Sequence, residues 1–163
     1  MIESAAAPLD IALADIAATE RLAQTLAKHA VAGDVIALWG GLGVGKTTFA
    51  RAFIHARRGG EDVAEVPSPT FTLVQVYDLA DSVVFHFDLY RLAQPEDAWE
   101  LGIEDAFADG ISLIEWPDRL GPLLPADRLD IEFGPGESPT SRHARLTGHG
   151  RWSSRLESLS RHV

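Results

Sequence analysis

The sequence predicts a single α/β domain over residues 1–163, with a mixed, mostly parallel sheet that is flanked by helices and includes an antiparallel part. Three observations predict it. The apolar segment Val35–Trp39 runs directly into a glycine-rich loop and then into an amphipathic segment, Lys46–Arg57. Residues 111–114 form a second apolar run, as strands buried on both faces do. With 163 residues, 46% of them hydrophobic, the chain is large enough for one core and too short for two.

The first elements are predicted to be a short strand and a helix. Residues 9–13 alternate apolar and polar side chains, although an Ala-rich helix from Ser4 is a competing interpretation. Thr19 is of a type that caps helices, and Gly33 is of a type that ends them. Between them, small and apolar residues recur on one helical face: Leu22, Ala23, Leu26, Ala27 and Ala30. We therefore expect a helix from Thr19 to Gly33.

The helix after the glycine-rich loop is expected to end at Gly59-Gly60, and the later elements are predicted from apolar alternation and from turn residues. In order, these are strands at 71–77 and 83–87 with a turn at Asp81-Ser82, a helical region at 95–107, a strand at 111–114, a loop or broken helix at 117–125, strands at 129–133 and 144–147 around a turn at Gly134-Pro135-Gly136, and a closing helix with Trp152, Leu156 and Leu159.

Charge and composition exclude several classes of protein. Acidic residues outnumber basic ones 24 to 14, and a net charge of −10 repels phosphate backbones, so we expect no DNA binding and no autonomous RNA binding. The chain has no cysteine, which excludes disulfides and thiolate metal sites. No apolar run approaches the ~20 residues of a membrane span, and Met1-Ile2-Glu3-Ser4 does not begin a secretory signal. We expect a cytoplasmic protein without membrane partners.

The strongest motif is the loop GGLGVGKT at 40–47, which fits the pattern G-x-x-x-x-G-K-[ST]. Glycines let the backbone curl so that successive N–H groups point at phosphate oxygens, and the following helix adds its N-terminal dipole. Lys46 is placed to reach the β- and γ-phosphates, Thr47 to ligate Mg²⁺, and Thr48 to make a further phosphate contact. The loop predicts a nucleotide-binding domain of the P-loop type. The chain has no asparagine, so the guanine-recognising N-K-x-D motif is excluded.

A P-loop needs an acidic partner at the end of a neighbouring strand, and two residues qualify. Glu115 follows the apolar run 111–114, and Asp88 follows the run 83–87. One of them can serve the metal while the other orients an attacking water, and the sequence alone does not assign these roles.

Three further features each have two interpretations. The segment Ser68-Pro69-Thr70-Phe71-Thr72 is either a loop that senses the γ-phosphate or an ordinary loop. Trp116 either belongs to the core or lines the nucleotide or a partner surface. His86 lies between two phenylalanines, and this alternation favours a structural use over catalysis.

Four ordered motifs together resemble the TsaE family, the bacterial ATPase of tRNA threonylcarbamoyladenosine biosynthesis. They are GGLGVGKTTF at 40–49, SPTFTLV at 68–74, HFDLYR at 86–91 and IEWP at 114–117. The resemblance extends from about residue 19 to residue 145. The second and fourth motifs are not general P-loop features, which makes the resemblance specific.

The resemblance implies a compact P-loop α/β domain that binds ATP with Mg²⁺ and hydrolyses it slowly when alone. It also implies the partners TsaB and TsaD, with hydrolysis needed for turnover of the assembly that modifies adenosine 37, and with tRNA contacted indirectly. The residues that the resemblance assigns to the site fall into three groups: Gly41, Leu42, Gly43, Val44, Gly45 and Lys46 around the phosphates; Thr47 and Glu115 on Mg²⁺; Asp88 and Trp116 in hydrolysis. Lys46 and Glu115 are expected to be catalytic residues as well. Thr19 matches a nucleotide contact, and Arg142 matches a late arginine near the nucleotide.

One departure and one alternative remain. Family members usually carry Asp where this chain has Gly41, which leaves backbone cradling intact but puts any role of that carboxylate in doubt.

The alternative function is a P-loop small-molecule or nucleoside kinase. Such an enzyme usually closes an arginine-bearing lid over its acceptor, whereas residues 117–128 contain Arg119 and Arg128 with little helical pattern.

Overall fold

A computed structural model describes residues 7–59, 69 and 71–162, and these residues form one seven-stranded sheet flanked by helices. The strands are β1 Leu9–Leu13, β2 Val35–Trp39, β3 Val74–Asp78, β4 Val83–Asp88, β5 Ile111–Glu115, β6 Arg128–Pro135 and β7 Arg142–His149. The α-helices are α1 Ile16–His29, α2 Lys46–Arg57, α3 Ile103–Asp109 and α4 Trp152–Leu159, and two 3₁₀ helices span Pro95–Leu101 and Pro117–Leu123. The predicted α/β architecture is confirmed.

The sheet is parallel at its centre and antiparallel at both sides. Its order is β1-β7-β6-β2-β5-β4-β3, with parallel pairs β6–β2, β2–β5 and β5–β4. The other three pairs are antiparallel. The expectation of a mostly parallel sheet is therefore wrong, since the two kinds of pairing are equal in number. Two of the antiparallel pairs, β3–β4 and β6–β7, are hairpins, since a short connection produces only antiparallel neighbours. The third pair, β1–β7, joins the two ends of the chain and has no local signal in the sequence.

The ends of α1 differ from the prediction. Asp15 rather than Thr19 caps the helix, because its carboxylate accepts a hydrogen bond from the Ala18 N–H at 2.8 Å. Thr19 lies buried within the first turn, and the helix ends at His29 rather than at Gly33. Gly33 instead has a φ of 92° in the turn before β2, where its N–H donates to the Gly110 carbonyl. The strand over 9–13 is confirmed, so the helical alternative there is wrong; its start at Ser4 lies outside the described residues.

Most later elements agree with the prediction, with shifts at their ends. Helix α2 has the bounds predicted for it, and Gly59 follows it with a φ of 83°, while Gly60 lies outside the described residues. Residues 71–73 form a turn rather than the start of β3. The expected turn at Gly134-Pro135-Gly136 is wrong, because β6 continues through Pro135, which pairs with Arg142.

The core occupies both faces of the sheet. On one face, residues of α1, α2 and α4 belong to one apolar cluster with Ile36 and Leu38 of β2 and Leu113 of β5. On the other face, α3 and the 3₁₀ helices cover Val35 and Ile114. Because successive side chains of a strand point to opposite faces, both central strands are apolar throughout, as the sequence predicted. The described part of the chain contains no helix long and apolar enough to span a bilayer.

Parallel pairing brings three strand ends to one edge of the sheet. Glu115, the last residue of β5, lies opposite Leu38 of β2 on one side and Asp88 of β4 on the other. The glycine-rich loop leaves β2 immediately beyond this point. The candidate site is therefore built where the carboxyl ends of β2, β4 and β5 meet, the usual position of ligand sites in open α/β sheets.

Candidate functional site

The glycine-rich loop leads from β2 into α2 through left-handed backbone. Gly40, Gly43 and Gly45 have φ values of 135°, 75° and 113°. A Cβ at Gly40 would lie 2.7 Å from the Phe133 carbonyl oxygen and 2.8 Å from Val44 Cγ2, so only glycine fits there. Gly43 and Gly45 face open space instead. The loop is thus closely packed at Gly40 and open to space at Gly43 and Gly45. Gly45 is the N-cap of α2.

Lys46 is the first residue of α2, and its side chain is buried beside the loop. Its Nζ donates to the Gly40 carbonyl at 2.6 Å and lies 3.5 Å from the centre of the Trp116 ring. Burial lowers the pKa of the Lys46 ammonium below its usual value, and the carboxylates of Glu115 and Asp88 act in the opposite direction. The ammonium is therefore a poorly solvated charge, which an anionic ligand in the cleft would satisfy.

A chain of hydrogen bonds joins α2, β5 and β4. The Thr47 hydroxyl donates to Glu115 Oε1 at 2.7 Å, and Nε2 of His86 lies 2.7 Å from Glu115 Oε2. Glu115 is only 2% exposed and His86 is fully buried. Both oxygens of the Glu115 carboxylate are thus engaged by neighbouring elements, which fixes its orientation.

Asp88 and Trp116 border the same space from the ends of β4 and β5. Asp88 is buried, and its Oδ1 accepts a hydrogen bond from the Tyr90 N–H at 3.2 Å. Trp116 has φ 58° and ψ 53°, a conformation that a bulky residue adopts only at a cost of about 1–3 kcal/mol. Its ring lies 4.9 Å from that of Tyr90. The strained backbone carries the indole across the strand end and onto Lys46.

These elements enclose a cleft of about 710 Å³. Its lining includes most of the site residues predicted from the sequence, namely Thr19, Leu42, Gly43, Gly45, Lys46, Thr47, Thr48, Asp88, Glu115, Trp116 and Arg142. Gly41 and Val44 are not among the lining residues. Gly41 is exposed with open space around it, and Val44 packs against the core.

Arg142 connects the first residue of β7 to the glycine-rich loop. Its Nη2 donates to the Gly43 carbonyl at 3.3 Å, while Nη1 donates to the carbonyls of Pro139 and Ser141 at 3.0 and 2.8 Å. This guanidinium adds a second positive charge, besides Lys46, to the lining of the cleft. Arg128, by contrast, is held by Asp130 and the Pro125 carbonyl, and neither it nor Arg119 is a lining residue.

Sequence reasoning missed part of the lining and the role of one contact. Asp15, Ile16, Ala17, Tyr90, Pro139 and Thr140 also line the cleft. Tyr90 stands in the HFDLYR motif, but Pro139 and Thr140 carry no motif signal, because only the sheet order brings β7 beside the loop. The two phenylalanines beside His86 favour a structural role for it. Two-residue alternation along the strand also places His86 on the same face as Asp88, and this signal indicates that it lies near the site.

The segment after α2 is described only in part. Ser68 and Thr70, on which the sensor-loop interpretation depends, lie outside the described residues. Phe71 is 80% exposed, with the Arg91 guanidinium 4.7 Å from the centre of its ring. The carbonyl of Pro69 accepts a hydrogen bond from the Leu73 N–H at 2.7 Å. The γ-phosphate interpretation stays a prediction.

The oxygen atoms at the strand ends fit Mg²⁺ better than a transition metal. Within residues 7–59, 69 and 71–162 there is no group of three or more His, Asp or Glu side chains arranged to hold a metal. The hydroxyl of Thr47 and the carboxylate of Glu115 are hard oxygen ligands in contact with each other. Mg²⁺ typically takes one or two protein oxygens and completes its shell with water and phosphate.

The fold and site define a mixed α/β protein with a ligand cleft at the carboxyl edge of its sheet, between a glycine-rich loop and two buried carboxylates. Residues 13–144 match the protein family described as "Threonylcarbamoyl adenosine biosynthesis protein TsaE". The chain belongs to the TsaE family, which takes part in the biosynthesis of threonylcarbamoyladenosine in tRNA.

Individual relatives carry the same name. The TsaE protein of Bacillus subtilis is 34% identical over 146 residues, covering 88% of this chain and 89% of the relative. The TsaE proteins of Rickettsia felis and Haemophilus influenzae are 38% and 42% identical over 115 and 108 residues, covering 71% and 65% of this chain. These matches span 66% of each of the two relatives, just under two thirds of their length. The crystal structure of Bacillus subtilis YdiB superposes with a TM-score of 0.80 at 29% identity, covering 99% of both chains.

Proposed function

We propose that the domain is of the P-loop NTPase type, that its cleft binds ATP with Mg²⁺, and that it hydrolyses ATP to drive the tRNA-modifying assembly of its family. The observation that carries this proposal is the contact between Thr47 and Glu115 at 2.7 Å, beside the buried ammonium of Lys46. A hydroxyl, a carboxylate and a desolvated cation beneath an open glycine loop form the set of groups that a triphosphate and its metal require.

The chain's own groups divide the binding of the phosphates between them. The N–H groups of residues 43–46 are at the N-terminus of α2, where the helix dipole favours negative charge. Lys46 exchanges its contact with the Gly40 carbonyl for phosphate oxygens, and Arg142, which contacts the Gly43 carbonyl, supplies a second cation. Ile16, Ala17 and Leu42 provide an apolar wall, which suits the base and sugar of a nucleotide.

Thr47 and Glu115 are the residues that would hold Mg²⁺, which neutralises charge that develops on the phosphate oxygens. Glu115 suits the metal because its carboxylate is already oriented toward the Thr47 hydroxyl. Asp88 then suits the attacking water, since it ends the neighbouring strand and lines the same cleft. This division of roles agrees with the family resemblance. Trp116 covers Lys46 and limits the access of bulk water to the phosphates.

The proposed partners are TsaB and TsaD, with tRNA held by the assembly rather than by this chain. A formal net charge of −10 opposes direct contact with an RNA backbone and suits a subunit that binds other proteins. We also propose a cytoplasmic location, where tRNA modification takes place. A kinase is less well supported, since Arg119 and Arg128 do not line the cleft.

Titration calorimetry with MgATP tests nucleotide binding. The chain has two lysines, so Lys46→Ala has a matched control in Lys28→Ala, which removes an exposed lysine from α1. We expect Lys46→Ala to weaken binding at least about tenfold, because a charge-assisted phosphate contact is lost. Lys28→Ala should bind as the wild type does. Undetectable binding of MgATP by folded wild-type protein would falsify the proposal.

Phosphate release tests the proposed place in the assembly. We expect slow ATP hydrolysis by the chain alone and faster hydrolysis after addition of TsaB, TsaD and tRNA. Turnover that stays the same in their presence contradicts the proposed partners. Stoichiometric formation of a phosphorylated small molecule or nucleoside would identify a kinase instead.

A further inference from the structure

His86 is a fully buried histidine in the middle of β4, and its one hydrogen bond among the described residues goes to the candidate metal site. Its Nε2 lies 2.7 Å from Oε2 of Glu115, which is itself 2% exposed. Imidazole is polar, and an apolar side chain would serve ordinary packing at this depth at lower cost. The contact with Glu115 therefore needs an explanation beyond core packing.

Strand register explains how the imidazole reaches the carboxylate. Asp88 lies opposite Glu115, and His86 lies opposite Leu113, one step further back on the same face of the sheet. His86 is thus diagonal to Glu115 and approaches it from inside the sheet, whereas Thr47 approaches it from α2. The two partners engage different oxygens of one carboxylate.

The surroundings of the second ring nitrogen indicate which nitrogen of His86 carries the hydrogen. Nδ1 of His86 is buried and has no hydrogen-bond partner in the part of the chain that the structure describes. A buried N–H without an acceptor is rarer and more costly than a buried lone pair without a donor, so a proton on Nδ1 is disfavoured. The ring then carries a hydrogen on Nε2 and donates it to Glu115.

We propose that His86 is a positioning residue for Glu115. It holds the carboxylate in the rotation in which Oε1 accepts the Thr47 hydroxyl hydrogen, and so keeps Oε1 and the hydroxyl oxygen together for binding Mg²⁺. This inference rests on the proposed function of the cleft. A glutamate side chain has three rotatable bonds, and without His86 one carboxylate oxygen would lose its partner. Groups that orient a metal ligand commonly change metal affinity 10–100-fold (roughly) when they are removed.

The test compares substitutions that keep or remove a donor at the Nε2 position. His86→Gln places an amide N–H near that position, His86→Asn places it near Nδ1 instead, and His86→Leu has no donor. Val84→Ala is the matched control, because Val84 is buried on the same strand and the same face, one step further from Glu115. Circular dichroism and thermal unfolding establish that each variant folds.

The first readout is ADP affinity by calorimetry, with Mg²⁺ and with EDTA. We expect His86→Leu and His86→Asn to raise the Mg²⁺ concentration needed for half-maximal tightening of ADP binding by about tenfold. Affinity for metal-free ADP should stay at the wild-type value in all variants. His86→Gln should recover most of the Mg²⁺ response, and Val84→Ala should retain it in full. A wild-type Mg²⁺ response in His86→Leu or His86→Asn overturns the inference. A loss of the Mg²⁺ response in His86→Gln and Val84→Ala that is as large as the loss in His86→Leu also overturns it.

The second readout needs no ligand and separates this inference from the proposed function. Long-range ¹H–¹⁵N NMR spectra of the free protein, assigned by comparison with His86→Gln, should show a hydrogen on Nε2 of this ring. Glu115→Gln should shift that resonance. A ring whose only hydrogen is on Nδ1 overturns the positioning role even if the wild type binds MgATP. Absence of nucleotide binding together with the Nε2 tautomer contradicts the proposed function and leaves the geometry of the pair established.

Discussion

Lys46 is only 4% exposed, and the burial of its ammonium makes the free energy of unfolding depend on pH. Burial lowers the pKa of its ammonium from the ordinary value of 10.5, so the folded chain releases this proton at a lower pH than the unfolded chain does. The unfolded state then binds more protons in that interval, and the free energy of unfolding rises with pH through it.

We expect the wild type to gain stability relative to Lys46→Met as the pH rises from neutral toward 10.5. Methionine keeps the length of the side chain and has no proton to lose, so the titration of groups that do not interact with Lys46 cancels in the difference. Denaturant unfolding at several pH values measures it. A difference that is constant with pH would show that burial does not shift the pKa of Lys46.

Glu115 and Asp88 lie opposite each other but are assigned different tasks. Under the proposed function, we expect Glu115→Ala to lower the rate of ATP hydrolysis by about tenfold or more, since the proposed carboxylate ligand of Mg²⁺ is lost, with metal-free ADP binding unchanged. Single-turnover kinetics and calorimetry separate the two effects. Equal losses in the hydrolysis rate and in ADP affinity indicate misfolding or a different metal ligand. Asp88→Ala with normal turnover returns Asp88 to a structural role.

Single residues of the site were predictable to the extent that they act through motifs. The spacing of Lys46 and Thr47 and the carboxylates at two strand ends are local signals, and the cleft contains all four. The contact of Lys46 with Trp116 was not predictable. It depends on a left-handed backbone at Trp116, a conformation that no propensity assigns to tryptophan.

At the scale of elements, helix α1 contributes the rim of the cleft and begins at a cap that can be tested. We expect Asp15→Ala to lower the free energy of unfolding by about 1 kcal/mol, because the Ala18 N–H loses its acceptor. Asp15→Ser should retain most of the stability, since serine also caps helices. Thermal unfolding measures both variants. Equal destabilisation by Ser and Ala would mean that the carboxylate acts through something other than capping.

The same helix shows where element prediction failed. Asp15 and Thr19 are both residues of the capping type, and periodicity alone does not choose between them. The extra turn from Asp15 is stabilised by the hydrogen bond from the Ala18 N–H to the Asp15 carboxylate. It places Ile16 and Ala17 at the cleft and leaves Thr19 buried within the helix. In contrast, α2 was predicted with its correct bounds, because the glycine loop fixes its first residue and Gly59 follows its last turn.

At the scale of the whole molecule, the last helix is tied to the centre of the sheet. Arg155 of α4 donates to Asp34, just before β2, through Nη1 and Nη2 at 2.6 and 2.9 Å, and also to the His29 carbonyl that ends α1. Asp34 is 3% exposed. The pair closes the fold over 121 residues of chain.

We expect Arg155→Met to lower the free energy of unfolding by about 3 kcal/mol, because Asp34 is left as a buried charge without its main partner. Arg151→Met is the control. It breaks an ion pair with Asp127 that is largely exposed, and it should leave stability nearly unchanged. Denaturant titration gives both values. Similar effects of the two substitutions would show that burial of Asp34 does not govern the pair.

The overall architecture was predictable in class but not in topology. Apolar runs at β2 and β5 identify buried parallel strands, since both faces of such strands must be apolar. Nothing local indicates that β6 pairs with β2 and so places the β6–β7 hairpin beside the glycine loop. That pairing joins residues far apart in the chain, such as Ile36 and Leu129, and it brings Arg142 of β7 to Gly43.

The indole of Trp116 gives the cleft an optical reporter. An ammonium 3.5 Å from the ring alters the emission of tryptophan, and this indole is one of four in the chain. Subtracting the fluorescence of a Trp116→Phe protein from that of the wild type isolates its signal. Movement of Lys46 away from the ring then becomes visible as a change in intensity, on the timescale of mixing and without any added dye.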